Sequence, residues 1–125
     1  MLANRDAVAT IAVSNMETAR KFYEGTLGLK QVGAEGEELV AYRSGNSTVY
    51  VYRSKYAGTN QATAMTWVVG NDVEGVVRDL KAKGVSFEHY DLPDTRLEGD
   101  IHISGRVKIA WFKDPDGDIL NIVSG

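Results

Sequence analysis

Val13 and Val69, Asn15 and Asn71, and Gly28 and Gly84 each stand 56 positions apart (69 − 13, 71 − 15, 84 − 28). No other feature of the 125-residue chain restricts its fold as strongly, because one offset shared by three residue types marks a unit that occurs twice. Two helical patterns also stand in the two halves. In "SNMETARKFYEGTLG", Ser14 and Glu17 have capping-box spacing, and Met16, Ala19, Phe22, Tyr23 and Leu27 recur at helical period ahead of Gly28. In "NDVEGVVRDLKAKG", Asn71 and Glu74 repeat the cap spacing, while Val73, Val76, Val77 and Leu80 form the apolar stripe. Gly84 supplies the left-handed stop.

The rest of the chain alternates at strand period. "AVATIAV" (7–13) precedes the first helix and "ATAMTWVV" (62–69) precedes the second. "LKQVGA", "ELVAYRS" and "TVYVYRS" follow helix one, divided by Glu35-Gly36 and Gly45-Asn46 turns. "VSFEHYD", a polar loop "LPDTRLEGD", "VKIAWF" and "DILNIV" follow helix two. The pattern predicts an α+β fold: one domain of two tandem βαβββ modules, residues 1–57 and 58–125, joined in the polar stretch "SKYAGTNQ" (54–61).

A chain of this size buries one core without covalent staples. It has no cysteine, which removes thiol nucleophiles, zinc knuckles and disulfide frameworks. A net charge of −3 offers no basic field for a polyanion, so no nucleic-acid partner is expected. "MLANRDAVAT" lacks the pattern of a signal peptide, and no apolar run approaches the ~20 residues that cross a bilayer. The expectation is a soluble, cytoplasmic protein without a membrane partner.

"IAVSNMETARKFYEGTLGLK", with its FYxxxLGL pattern at Phe22–Leu29, and "WFKDPDGDILNIV", with its DPDG turn, close the two ends of a duplicated βαβββ chain. In this the sequence resembles the vicinal oxygen chelate superfamily, which holds glyoxalase I, extradiol dioxygenases, fosfomycin-resistance transferases and bleomycin-resistance proteins. "KYAGTNQAT" and "AWFKDPDGDIL" look most like a glyoxalase-like subgroup without assigned activity. The resemblance implies that each module curls into a half-barrel sheet and that two modules complete a cup for a small ligand, facing away from the helices. It also implies a homodimer.

Metal-using relatives hold a divalent ion with His and Glu side chains from four strands. Here the Glu slot after DPDG is Asn121, the first-strand His slot is Val8, the second-module His falls near Ala64, and the fourth ligand falls near Tyr50 or Tyr52. No family-type metal and no cofactor are therefore expected. The run Asp114, Asp116 and Asp118 does not make a calcium loop either. Counted from Asp114, the sixth-position Gly and twelfth-position Glu are missing, and Pro115 with Gly117 reads as a hairpin turn. Relocated ligands would have to draw on His89 and His102 with Asp91, Asp100 or Glu88. Alternation places Phe87 and His89 on one strand face and Glu88 and Tyr90 on the other.

The aromatic residues offer another chemistry. Tyr42, Tyr50, Tyr52, Tyr56, Trp67, Phe87, Tyr90, Trp111 and Phe112 lie on or beside expected strands, and aromatic walls with a few polar tips suit a flat organic ligand. The expected ligand-binding set is Tyr50, Tyr52, Trp67, His89, His102, Trp111 and Arg43, with residues 92–100 as a cover. For Trp67 and Trp111 the competing role is filler between sheet and helix. The expected function is a metal-free, small-molecule binding protein of the bleomycin-resistance or sequestration type. Two alternatives stand beside it. One is a lyase, isomerase or dioxygenase-like enzyme with relocated metal ligands or His-based acid–base catalysis; the other is an interaction module with a filled cup.

Overall fold

The computed structural model describes all residues, 1–125, as two compact units, Met1–Thr59 and Asn60–Gly125. The first runs β1 (Ala9–Val13), α1 (Met16–Arg20), β2 (Lys30–Glu35), β3 (Leu39–Ser44) and β4 (Ser47–Arg53). Its sheet order is β1-β4-β3-β2, parallel between β1 and β4 and antiparallel elsewhere. Ile11, Val13, Val40, Tyr42, Val49 and Val51 point to one face and are buried with Met16, Ala19 and Tyr23 of the helical segment. Strand alternation sends Thr10, Ala12, Ala41, Tyr50 and Tyr52 to the other face.

The helix begins one residue later than Ser14 predicts. Asn15 is the cap, its Oδ1 accepting the Thr18 N–H at 3.0 Å; an Asn side chain reaches the third amide as well as a serine does. A π-helical turn over Lys21–Thr26 then widens the helix, with Leu27 N–H donating to Phe22 O five residues back. From this turn Glu24 accepts a 2.7 Å hydrogen bond from the Tyr42 hydroxyl, and the Tyr42 ring stacks on Tyr23 at 6.2 Å. Gly28, at φ +76°, ends the helix as expected.

The second unit runs β5 (Thr63–Val68), α2 (Val73–Ala82), β6 (Phe87–Glu88), β7 (Arg96–Glu98), β8 (Ile101–Ser104), β9 (Val107–Lys113) and β10 (Ile119–Val123). The order β5-β10-β9-β8-β7 repeats the topology of the first sheet, again with its first and last strands parallel. Asp72 caps α2, without a side-chain bond, where Asn71 was expected.

This unit departs from three strands after the helix. β6 pairs with Trp111 and Phe112 of β9, while β8 pairs with Val107–Ile109 on the same outer edge, so two short strands share the place of one. The segment expected as a plain loop folds partly into β7, because Leu97 opposite His102 and a Gly99-Asp100 turn make a tight hairpin. No helix is long and apolar enough to cross a membrane.

Candidate functional site

Each sheet has one face under its helix and one face free of it, and the chemistry gathers on the free face. In the first unit, Tyr50 lies opposite Thr10 and Ala41, and Tyr52 opposite Ala12 and Leu39. Both tyrosines are more than a third exposed. Arg43, two residues beyond Ala41, follows the same face and is exposed. Three of the expected site residues thus share one surface in this unit.

In the second unit the register of β10 sorts the aromatics. Trp111 stands opposite Asn121, whereas Trp67 stands opposite Ile122. Neighbouring residues of one strand point to opposite faces, so the two tryptophans do not share a surface. Trp67 stacks on Phe112 at 6.4 Å, on the side that carries the buried Ala110, Leu120 and Ile122. Trp111 faces the other way, and its Nε1–H donates to Thr63 Oγ1 at 3.0 Å.

Around Trp111 stand His102, edge-on at 4.8 Å between ring centroids, and Tyr90, edge-on at 5.3 Å. His102 is buried and its Nε2 accepts the Tyr90 backbone N–H at 2.9 Å. Burial, and after it the Glu88 carboxylate, push the Tyr90 phenol above its ordinary pKa, keeping it neutral. Tyr90 and Asn121 were outside the expected set. The signal for Tyr90 was its two-residue spacing from Glu88, which pairs opposite Trp111.

His89 takes a different course. It is exposed, and its Nε2 lies 2.8 Å from Asp100 Oδ1, while Lys81 Nζ lies 2.7 Å from Asp100 Oδ2. Lys81 first, and then His89, hold the Asp100 carboxyl below its ordinary pKa. Glu88 instead pairs with Lys113 at 3.4 Å, so His89 and Glu88 diverge as alternation requires. His89, Tyr90, Thr95, Arg96, Leu97 and His102 border a hollow of about 320 Å³ beneath the β7–β8 hairpin. That volume is at the small end of ligand sites.

The divalent ion implied by the family resemblance does not fit these residues. On the strands concerned the helix-free faces carry Thr10, Ala12, Tyr50, Tyr52, Thr66 and Asn121, none an imidazole or carboxylate. No three His, Asp or Glu side chains cluster closely enough elsewhere to hold a metal. The acidic turn is built as a turn. Asp114 Oδ1 accepts the backbone N–H groups of Asp116 and Asp118 at 3.0 and 2.9 Å, and Gly117 sits at φ +91°.

A family model described as the glyoxalase/bleomycin resistance protein/dioxygenase superfamily matches residues 6–121. No curated protein matches the chain. Among solved structures, an integron cassette protein from the mobile metagenome of a Halifax Harbour sewage outfall is 18% identical, with a TM-score of 0.72, covering 94% of this chain and 96% of that one. The lactoylglutathione lyase of Agrobacterium tumefaciens is 14% identical, with a TM-score of 0.73 and coverage of 98% and 94%. A fosfomycin resistance protein of Listeria monocytogenes is 14% identical, with a TM-score of 0.68 and coverage of 98% and 91%. At these identities the likeness is one of fold alone. Two sheets of one topology, helices on one face of each, and a family model spanning nearly the whole sequence agree: the chain belongs to the glyoxalase/bleomycin resistance protein/dioxygenase superfamily.

Proposed function

We propose that the protein binds a small aromatic or amphipathic organic molecule, with Trp111 as its platform and Tyr90 and His102 as flanking walls. The observation that carries this reading is the gathering of those three rings on the helix-free face, beside a ligand-sized hollow. A packed core does not need that face, since Phe112, Leu120 and Ile122 already fill the other. Tyr50, Tyr52 and Arg43 share an exposed surface on the first sheet and are proposed as a ligand-contacting surface of that unit by itself. Trp67, stacked on Phe112, is left out of the site. A homodimer is part of the proposal, supported by the family resemblance.

Native mass spectrometry of protein purified from its own host tests this directly. The expected spectrum shows a dimer with a retained organic mass, and Trp111→Ala loses that mass while keeping the dimer. A ligand-free spectrum from the wild type overturns the reading.

One observation favours a second reading, an acid–base lyase or isomerase. Asp100, held by Lys81, fixes one nitrogen of the exposed His89 and leaves the other to take up a proton. If a turnover is found, His89→Ala should abolish most of it. Unchanged turnover in both His89→Ala and His102→Ala removes the histidines from the chemistry.

A further inference from the structure

Lys30 and Arg43 stand directly opposite one another on β2 and β3. Thr48 faces Arg43 from β4, so the three form one rung of the first sheet. Arg43 lies on the helix-free face with Ala41 and Tyr50, and Lys30 joins it there because opposed residues on neighbouring strands point the same way. The next pair, Gln31 and the buried Tyr42, turns to the other face.

Both cations are exposed, and neither makes an ion pair or a side-chain hydrogen bond. Like charges opposed on a sheet repel, with Cβ atoms about 5 Å apart. A neighbouring acid would relieve that repulsion, and none does. β1, β3 and β4 contain no Asp or Glu. Glu35 ends β2 opposite Leu39, about 13 Å along the strands from Arg43. Glu17, Glu37 and Glu38 pair with Lys21, Arg20 and Arg53, and Glu24 accepts from Tyr42. Asp6 lies ahead of β1, and β4 separates β1 from the strand of Arg43. In a chain of 17 acids and 14 bases, two opposed cations without an acid reverse the overall balance locally.

Tyr50 occupies the next rung, about 7 Å beyond Thr48 along β4, and Tyr52 the rung after it. Tyr50 stands between Thr10 and Ala41, both small, and the two tyrosines are 37% and 38% exposed. The face thus runs from a doubly cationic end to a floor of two aromatic rings. An Arg guanidinium grips a carboxylate through parallel N–H groups, a Lys ammonium adds a further donor, and tyrosine rings stack on a flat ligand. Two cations match one acid group, whereas a polyanion needs a wider basic field.

We infer that this face binds a flat aromatic acid, its carboxylate held between Lys30 and Arg43 and its ring laid on Tyr50 and Tyr52. This rests on the reading of the first unit's exposed surface given above and names the class of ligand that surface takes.

The test uses the full-length protein with ring-labelled tyrosines and fragments of one shape: 2-naphthoate, 2-naphthamide and 2-naphthylmethylammonium. Binding is followed by NMR at Tyr50 and Tyr52. In low salt, 2-naphthoate is expected to bind about tenfold more tightly than the amide, and the ammonium most weakly. Added salt should shrink that margin, because exposed charges are screened. Arg43→Gln and Lys30→Gln should each weaken 2-naphthoate several-fold and leave 2-naphthamide unchanged. Each should also raise the melting temperature of the free protein by relieving the repulsion. Equal binding of acid and amide, tightest binding of the ammonium, 2-naphthoate affinity unchanged in both variants, or a melting temperature lowered by both overturns the inference and leaves the aromatic surface standing. If no fragment moves the Tyr50 or Tyr52 signals, the surface reading itself fails and the inference falls with it.

Discussion

Removing one hydroxyl from the first unit should expose how its helix is tied to its sheet. Tyr42 is fully buried, and its hydroxyl donates to Glu24 Oε2 at 2.7 Å. Tyr42→Phe keeps the ring, its stacking on Tyr23 and the packing volume, so no sizeable cavity opens. A hydrogen bond to a charged acceptor contributes about 1.5–3 kcal/mol. Glu24 is only half-buried and partly recovers water, which brings the expected loss to about 1–2 kcal/mol. For a chain of this length that corresponds to a fall of roughly 3–10 °C in Tm.

Urea denaturation measures the loss, and a double-mutant cycle with Glu24→Ala isolates the pair, with an expected coupling near 1 kcal/mol. The alkaline limb supplies a second readout. Burial, then the bond to Glu24, raise the Tyr42 phenol well above its ordinary value. A raised folded-state pKa means that the contribution is complete below about pH 10 and drains away as pH rises toward the folded value, by ~1.4 kcal/mol per unit. Tyr42→Phe should flatten that limb in part, Tyr90 supplying the remainder in the same direction. Equal stability at pH 7, zero coupling and an unchanged alkaline limb would refute the argument.

Three other outcomes are expected. Asp114→Ala should cost about 2–3 kcal/mol in urea denaturation, because its carboxylate accepts two backbone amides inside a buried turn. Asn15→Ala should cost about 1 kcal/mol through the lost helix cap, seen in thermal melts followed by circular dichroism. Asp100→Asn should lower stability at pH 7 by about 0.5–1 kcal/mol, since Lys81 is more than half exposed and its pairing is screened. Because the Asp100 carboxyl is depressed, that contribution is present above about pH 4 and lost as pH falls through the folded value. The variant's acid limb should accordingly be flatter than the wild type's, and an identical limb would count against the Lys81–Asp100–His89 cluster.

The duplicated register, the helix stops at Gly28 and Gly84, and the DPDG turn were legible because each depends on residues close in sequence. Tyr50 and Tyr52 could be placed together for the same reason: alternation within a single strand needs no partner. Trp67 and Trp111 could not be compared that way. They sit on strands separated by β10, and only its pairing, Trp67 with Ile122 and Trp111 with Asn121, sets them on opposite faces. The Asn15 cap was hidden because Ser14 and Asn15 are both competent and the choice depends on where the chain leaves β1. The β7 strand is three exposed residues whose partner lies across a turn, so its own pattern carried little signal. The gathering of His102, Tyr90 and Trp111 is a product of tertiary packing, invisible in a list of residue types.

β6 and β8 grip the same rim of β9 at separate rungs, residues 111–112 and 107–109. The chain between them, 89–100, is consequently a detour whose ends are fastened independently. A longer, shorter or differently composed detour leaves both sets of rungs in place while recasting the walls of the hollow it encloses. The scaffold can therefore be given a new appetite by rewriting one stretch of backbone, with the rest of the sheet none the wiser.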